Sequence, residues 1–203
     1  MSPASQQVKE QVWFLDTSAL VTMAVHPPLG ATIRARLDPE RVVLTQAVHN
    51  ELKSLAGAGV LRTSVWANNA LTQLRWLDKP VPLDRPDGVT LAEQLQSDLA
   101  AGRPLEHPLQ HWGEATIISM GSRAQTLLPV MLSDDYDARI MAKQHHMKPV
   151  SIAGLLSNMV QRGELSASTA EQYWDHLHQV KRSSKKINAG QFSSGQIGRP
   201  GLP

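Results

Sequence analysis

An α/β fold on a parallel sheet is what this sequence predicts, and three features predict it. Short apolar runs of strand length (Val12–Leu15, Val42–Leu44, Val130–Leu132, Pro149–Ser151) alternate with longer segments of helical periodicity. Such alternation argues for parallel strands covered by helices on both faces. Two of the runs also end abruptly at acids, Asp16 after the first and Asp134 and Asp135 after the third. In open parallel sheets, ligands collect at the carboxyl ends of strands.

The elements follow in order. Residues 1–11 read as a short disordered lead. After Val12–Leu15, Thr17 or Ser18 can cap a helix through Ala19–Val25, which His26, Pro27 and Pro28 stop. Thr45 caps a helix from Gln46 to about Leu55, ended by Gly57 and Gly59, and a further helix covers Val65–Leu74. Leu77–Pro86 is Pro-rich and is read as holding an edge strand. A helix over Leu91–Ala101 ends at Gly102 and Pro104, and Trp112–Gly121 forms another. Asp135–His146 is helical, as is Ile152–Gln161, with apolar residues at 152, 155, 156, 159 and 160. Ser166–Leu177 closes a domain that spans 12–180. Beyond it, 181–203 is rich in Ser, Gly, Lys and Pro and is expected to be a basic flexible tail.

Composition bounds the function. With 203 residues, 41% of them hydrophobic, the chain suits one domain with a sizeable core. No apolar stretch approaches the roughly 20 residues that span a bilayer. The absence of cysteine removes thiolate metal sites and disulfides. Together with a start, Met1–Gln7, that lacks the pattern of a secretory leader, it leads to an expected cytoplasmic location. The net charge of +2 hides an asymmetry: Lys181, Arg182, Lys185, Lys186 and Arg199 follow Val180 with no acid among them, leaving 15 basic against 18 acidic residues before them. A basic end on an acidic body can grip a polyanion or simply be solvated.

Two further acids sit where core residues belong. In the helix after Thr45, Ala47, Val48, Leu52 and Leu55 define the apolar stripe, and Glu51 lies on it. Glu114 repeats the pattern, with Ile117, Ile118 and Gly121 three, four and seven residues on. An acid after a strand is often only a turn or cap residue, but inward carboxylates on separate helices are costly unless paired. Asp16, Glu51, Glu114 and Asp135 on one sheet edge would repel one another, and a divalent cation relieves the conflict. Oxygen-only ligands select Mg²⁺ or Mn²⁺.

These residues resemble the motifs of the PIN-domain nucleases, in particular the bacterial VapC-like toxin ribonucleases. The first looks like Phe14-Leu-Asp-Thr-Ser-Ala-Leu20 and the second like Leu44-Thr-Gln-Ala-Val-His-Asn-Glu-Leu52. The third resembles Gly113-Glu-Ala-Thr-Ile-Ile118, and the fourth Val130-Met-Leu-Ser-Asp-Asp-Tyr-Asp-Ala-Arg139. The likeness covers about residues 12–178, with the motifs in the family's order. It implies a three-layer α/β/α sandwich and hydrolysis of RNA phosphodiester bonds by carboxylate-held Mg²⁺ or Mn²⁺. The catalytic and metal-holding residues would be Asp16, Glu51, Glu114 and Asp135, with Asp134 the second choice for the fourth ligand. Thr17, Ser18 and Ser133 would orient the carboxylates or, equally plainly, cap helices. Arg139 is a candidate RNA contact or, equally, part of a solvated helix face, and the tail's Lys181, Arg182, Lys185 and Lys186 are candidate RNA contacts with solvated disorder as the plainer reading.

The implied role is the toxin of a toxin–antitoxin pair. The implied partners are an RNA substrate, a cognate antitoxin protein and a second copy of the chain in a homodimer, with no membrane. A PIN nuclease of RNA processing or decay, and a catalytically silent PIN-like RNA- or protein-binding module, are the alternatives. The chain departs from the pattern in the long stretch between Glu51 and Glu114, expected to build an extra helical element. A further departure is the absence of a second acid close to Glu114 in its helix.

Overall fold

The computed structural model describes residues 10–197 apart from Gly102, Gln125, Ser184, Gln196 and the side chain of Leu61. Four strands, β1 (Gln11–Leu15), β2 (Val42–Val43), β3 (Leu128–Leu132) and β4 (Lys148–Val150), form one all-parallel sheet. Their order is β2–β1–β3–β4. Phe14 pairs with Val43 on one side and Met131 on the other, and Leu132 pairs with both Leu15 and Val150. The two central strands are nearly or wholly buried, Leu15, Val130, Met131 and Leu132 being fully enclosed. That enclosure explains why the two strands carry continuous apolar runs, from Val12 in β1 and over the whole of β3, instead of alternating polar and apolar residues. With helices packed around the sheet the molecule is an α/β three-layer sandwich, as the sequence predicts.

Ten α-helices are described: α1 (Thr17–Val25), α2 (Pro27–Arg36), α3 (Gln46–Gly57), α4 (Leu61–Gln73), α5 (Pro86–Leu99), α6 (Trp112–Gly121), α7 (Tyr136–Gln144), α8 (Ile152–Gln161), α9 (Ala167–Gln179) and α10 (Ala189–Ser193), with single 3-10 turns at Pro39–Arg41 and Leu74–Trp76. The prolines at 27 and 28 end α1, as expected, but they also open α2, where His26 Nδ1 accepts the Leu29 N–H at 3.3 Å. Proline suits a first helical turn because its missing N–H would have no partner there. Pro86 opens α5 in the same way. The edge strand expected within Leu77–Pro86 is a single parallel bridge between Thr45 and Val81. The long stretch between Glu51 and Glu114 contains α4 and α5.

Connectivity places the site. From β1 the chain passes to β2 on one side, and β3 then adds on the other side of β1. The strand order therefore reverses between β1 and β3, and the crevice beyond their carboxyl ends is where such sheets bind ligands.

The segment after Val180 corrects the expectation of a flexible tail, as far as Ile197. Phe192 of α10 is completely buried, meets Trp174 edge-on at 6.4 Å between ring centroids, and its carbonyl accepts the Ser157 hydroxyl at 2.8 Å. An aromatic ring enclosed against α8 and α9 stabilises more than the surrounding Ser and Gly cost in chain entropy. Residues 1–9 of the expected lead and 198–203 of the expected tail lie outside the described residues.

Candidate metal centre at the strand switch point

β1 and β3 deliver their last residues side by side: the Asp16 N–H donates to the Leu132 carbonyl at 3.0 Å. Asp16 is also the N-cap of α1, so its carboxylate is held between strand and helix. Thr17 and Ser18, either of which could have been the cap, lie in the first turn instead. Asp16 is 1% exposed, and its two oxygens differ. Oδ2 accepts from the Ser18 hydroxyl, the Ser133 hydroxyl at 2.8 Å and the Ser18 N–H at 3.3 Å. Oδ1 is equally buried and, among the described residues, has no hydrogen-bond partner. Burial raises the Asp16 pKa, opposed by the hydroxyls of Ser18 and Ser133.

Glu51, on α3, and Glu114, in the first turn of α6, join it. Both are half-buried. The Thr17 hydroxyl donates to Glu51 Oε2 at 2.8 Å, tying α3 to the residue beside Asp16. Gly113 lets the start of α6 close on this carboxylate: a Cβ there would stand 2.7 Å from Glu51 Oε2. Burial lifts Glu51 to about 7, with the Asp16 charge adding and Thr17 opposing. Burial lifts Glu114 to about 8, with repulsion from Asp16, Glu51 and Asp135 adding. The sequence-predicted acids therefore occupy one neighbourhood and feel one another's charge. As they stand, no three acid or histidine side chains among the described residues are disposed to hold a metal ion.

The fourth motif divides its labour. Asp135 caps α7, its Oδ1 accepting from the Ala138 N–H at 2.8 Å, while its own N–H donates to Ser133 Oγ. Asp134, the second choice as a ligand, is already engaged at both oxygens. Oδ1 accepts the Ile152 N–H and Oδ2 the Thr22 hydroxyl, each at 3.0 Å. It is a strut between α1 and α8, which corrects its reading as a metal ligand. Ser133 is fully buried and bonds Asp16, so it orients that acid in addition to ordering the turn.

The expected RNA contacts fare unequally. One guanidinium nitrogen of half-buried Arg139 donates to the Ser133 carbonyl at 3.0 Å, bracing the same turn. Lys181, Lys185 and Lys186 are exposed. Arg182 instead points inward, its Nη2 donating to the Ser18 carbonyl and to Thr22 Oγ1, both at 3.0 Å, which corrects its reading as an RNA contact. Sequence reasoning missed Thr22, a hydroxyl 2% exposed among the apolar residues that follow Ser18 in α1. Its position one turn after Ser18 was the available signal. It gave Gly113 no role, because a missing side chain declares itself only through its neighbour.

The donor chemistry fits a hard divalent cation. Every candidate ligand is a carboxylate, and the bare Asp16 Oδ1 is a buried acceptor whose partner would have to come from outside the described side chains. Asp16, Glu51 and Glu114, with the oxygen of Asp135 that α7 leaves uncapped, are the residues a Mg²⁺ or Mn²⁺ ion would draw on, although as they stand they do not surround a common point. No protein-family model matches the chain, and no curated protein matches it.

Proposed function

We propose that this chain is a PIN-type, divalent-metal-dependent endoribonuclease that hydrolyses RNA phosphodiester bonds in the cytoplasm. The observation that carries the reading is Asp16 at the switch point, with Oδ2 saturated and Oδ1 enclosed and bare, in a neighbourhood of two further carboxylates. Bound Mg²⁺ or Mn²⁺ would supply activation of water and neutralise charge on the phosphodiester. The chain's own residues prepare that event. Ser18 and Ser133 fix the Asp16 plane through Oδ2, leaving Oδ1 to ligate. Thr17 restrains Glu51 at one oxygen. Glu114, at about 8, carries its proton at neutral pH and releases it when a cation enters.

The test is incubation of the purified chain with a mixed RNA pool, with Mn²⁺, without it and with EDTA, mapping the fragment ends. Cleavage that requires Mn²⁺ and is lost in Asp16→Asn supports the proposal; an intact pool in Mn²⁺ sinks it. A toxin role adds growth arrest on expression, relieved by a cognate antitoxin.

One observation favours a second reading. Because the acids do not yet surround a common point, a silent PIN-like binding module would keep Glu51 and Glu114 protonated and never fill the site. Such a module would bind RNA equally with Mn²⁺ or EDTA and leave it whole.

A further inference from the structure

We infer that Arg182 is a positioning residue of the candidate metal centre, delivered by a C-terminal clamp that Phe192 locks in place. The chain turns sharply after α9, with Lys181 in the left-handed region at φ 61°. Arg182 N–H then donates to the Leu177 carbonyl at 2.8 Å. Trp174 Nε1 donates to the Lys185 carbonyl at 2.8 Å, and Asn188 and Gln191 cap α10 reciprocally. Phe192 closes the segment by full burial. The clamp is thus fastened at both ends of the stretch that carries Arg182.

Hydrogen counting shows what the guanidinium does. The two hydrogens on Nη2 go to the Ser18 carbonyl and to Thr22 Oγ1. The single Thr22 hydrogen has two acceptors within reach, the Ser18 carbonyl at 2.9 Å and Asp134 Oδ2 at 3.0 Å, and because Arg182 already serves the carbonyl that hydrogen is available to Asp134. Asp134 N–H donates to Ser18 Oγ, whose own hydrogen goes to Asp16 Oδ2. A continuous polar chain therefore runs from Arg182 through Thr22, Asp134 and Ser18 to the oxygen that fixes the Asp16 plane. A planar donor at position 182 sets the first turn of α1, and with it the direction of Asp16 Oδ1.

The metal arm of this inference rests on the proposed function; the clamp itself does not. The experiment compares wild type, Arg182→Ala, Arg182→Lys and Phe192→Ala as full chains. Amide hydrogen exchange is followed along the chain, and Mn²⁺ affinity is measured by electron paramagnetic resonance. Arg182→Ala and Phe192→Ala are expected to speed exchange in α1 selectively over β3. Arg182→Ala is expected to raise the Mn²⁺ Kd by about 10-fold or more, the scale for removing a group that orients a ligand, with Arg182→Lys restoring part of it. If wild type binds no Mn²⁺, the metal reading fails and the exchange data alone decide the clamp. Exchange in α1 that is unchanged, or raised no more than in β3, overturns the inference, as does a wild-type Kd in Arg182→Ala.

Discussion

At Asp16 three donors crowd one carboxylate oxygen while its twin is sealed in without any among the described residues. Asn in its place keeps an acceptor for Ser18 and Ser133 but loses the charge and the bare ligand. Asp16→Asn is therefore expected to retain the fold by circular dichroism and to lose RNA cleavage by at least ~10²-fold, the scale for losing one preorganised electrostatic contact. The neighbouring glutamates make a separate prediction. Glu51 and Glu114 titrate at about 7 and about 8 in the folded chain, above the ~4.3 of an unfolded glutamate. Between those values the folded state binds more protons than the unfolded state, so their contribution to stability falls as pH rises through that window. Metal-free protein should melt higher at pH 5 than at pH 8, and Mn²⁺ should recover the loss at pH 8. A metal-free melting temperature that climbs from pH 5 to pH 8 would contradict this. Both glutamates were legible in the sequence, because each interrupts an apolar stripe at helical spacing. The difference between Asp134 and Asp135 was not, because adjacent acids in a turn differ only in which backbone amides come within reach.

Helices α3 and α6 meet at a contact with room for a hydrogen and little else. Gly113→Ala would place a Cβ 2.7 Å from Glu51 Oε2 and 3.4 Å from Val48 Cγ2. The backbone at 113 needs no left-handed conformation, so the strain falls on the glutamate that must turn away. Mn²⁺ affinity in Gly113→Ala should drop about 10-fold, as when a ligand loses its orientation, with a much smaller change in melting temperature. Equal affinity would show that Glu51 is not a ligand. The elements most legible in the sequence were those with strong apolar spacing and clear stops. The Trp112–Gly121 and Ile152–Gln161 helices begin and end where the pattern does. Helix α2 was not legible, because only Leu29, Gly30 and Ile33 are buried in it and its opening prolines read first as a terminator. Strand β2 was legible from its apolar run Val42–Leu44, although only Val42 and Val43 pair.

Across the whole molecule, the sheet's strand order decides which acids can meet, and no residue pattern encodes that order, because β1 and β3 present similar apolar runs, Val12–Leu15 and Val130–Leu132. What composition misjudged was the C-terminal segment. Its Ser, Gly and Lys content outweighed a single Phe192, although the Asn188–Gln191 spacing was a capping signal in plain view. If that segment belongs to the core, Phe192→Ala should cost about 3–5 kcal/mol in denaturant unfolding, the range for emptying a buried aromatic site. A loss below ~1 kcal/mol would return it to the status of a tail. The basic residues on this segment then separate by direction: Arg182 faces the acids, while Lys181, Lys185 and Lys186 face solvent.

The most direct test of the central claim is a Mn²⁺ titration of wild type and Asp16→Asn at pH 8, followed by electron paramagnetic resonance. Saturable binding by wild type, weakened at least about 10-fold in the variant, is the expected result. Equal binding by both proteins, or none by wild type, would mean that the bare oxygen of Asp16 does not await a cation.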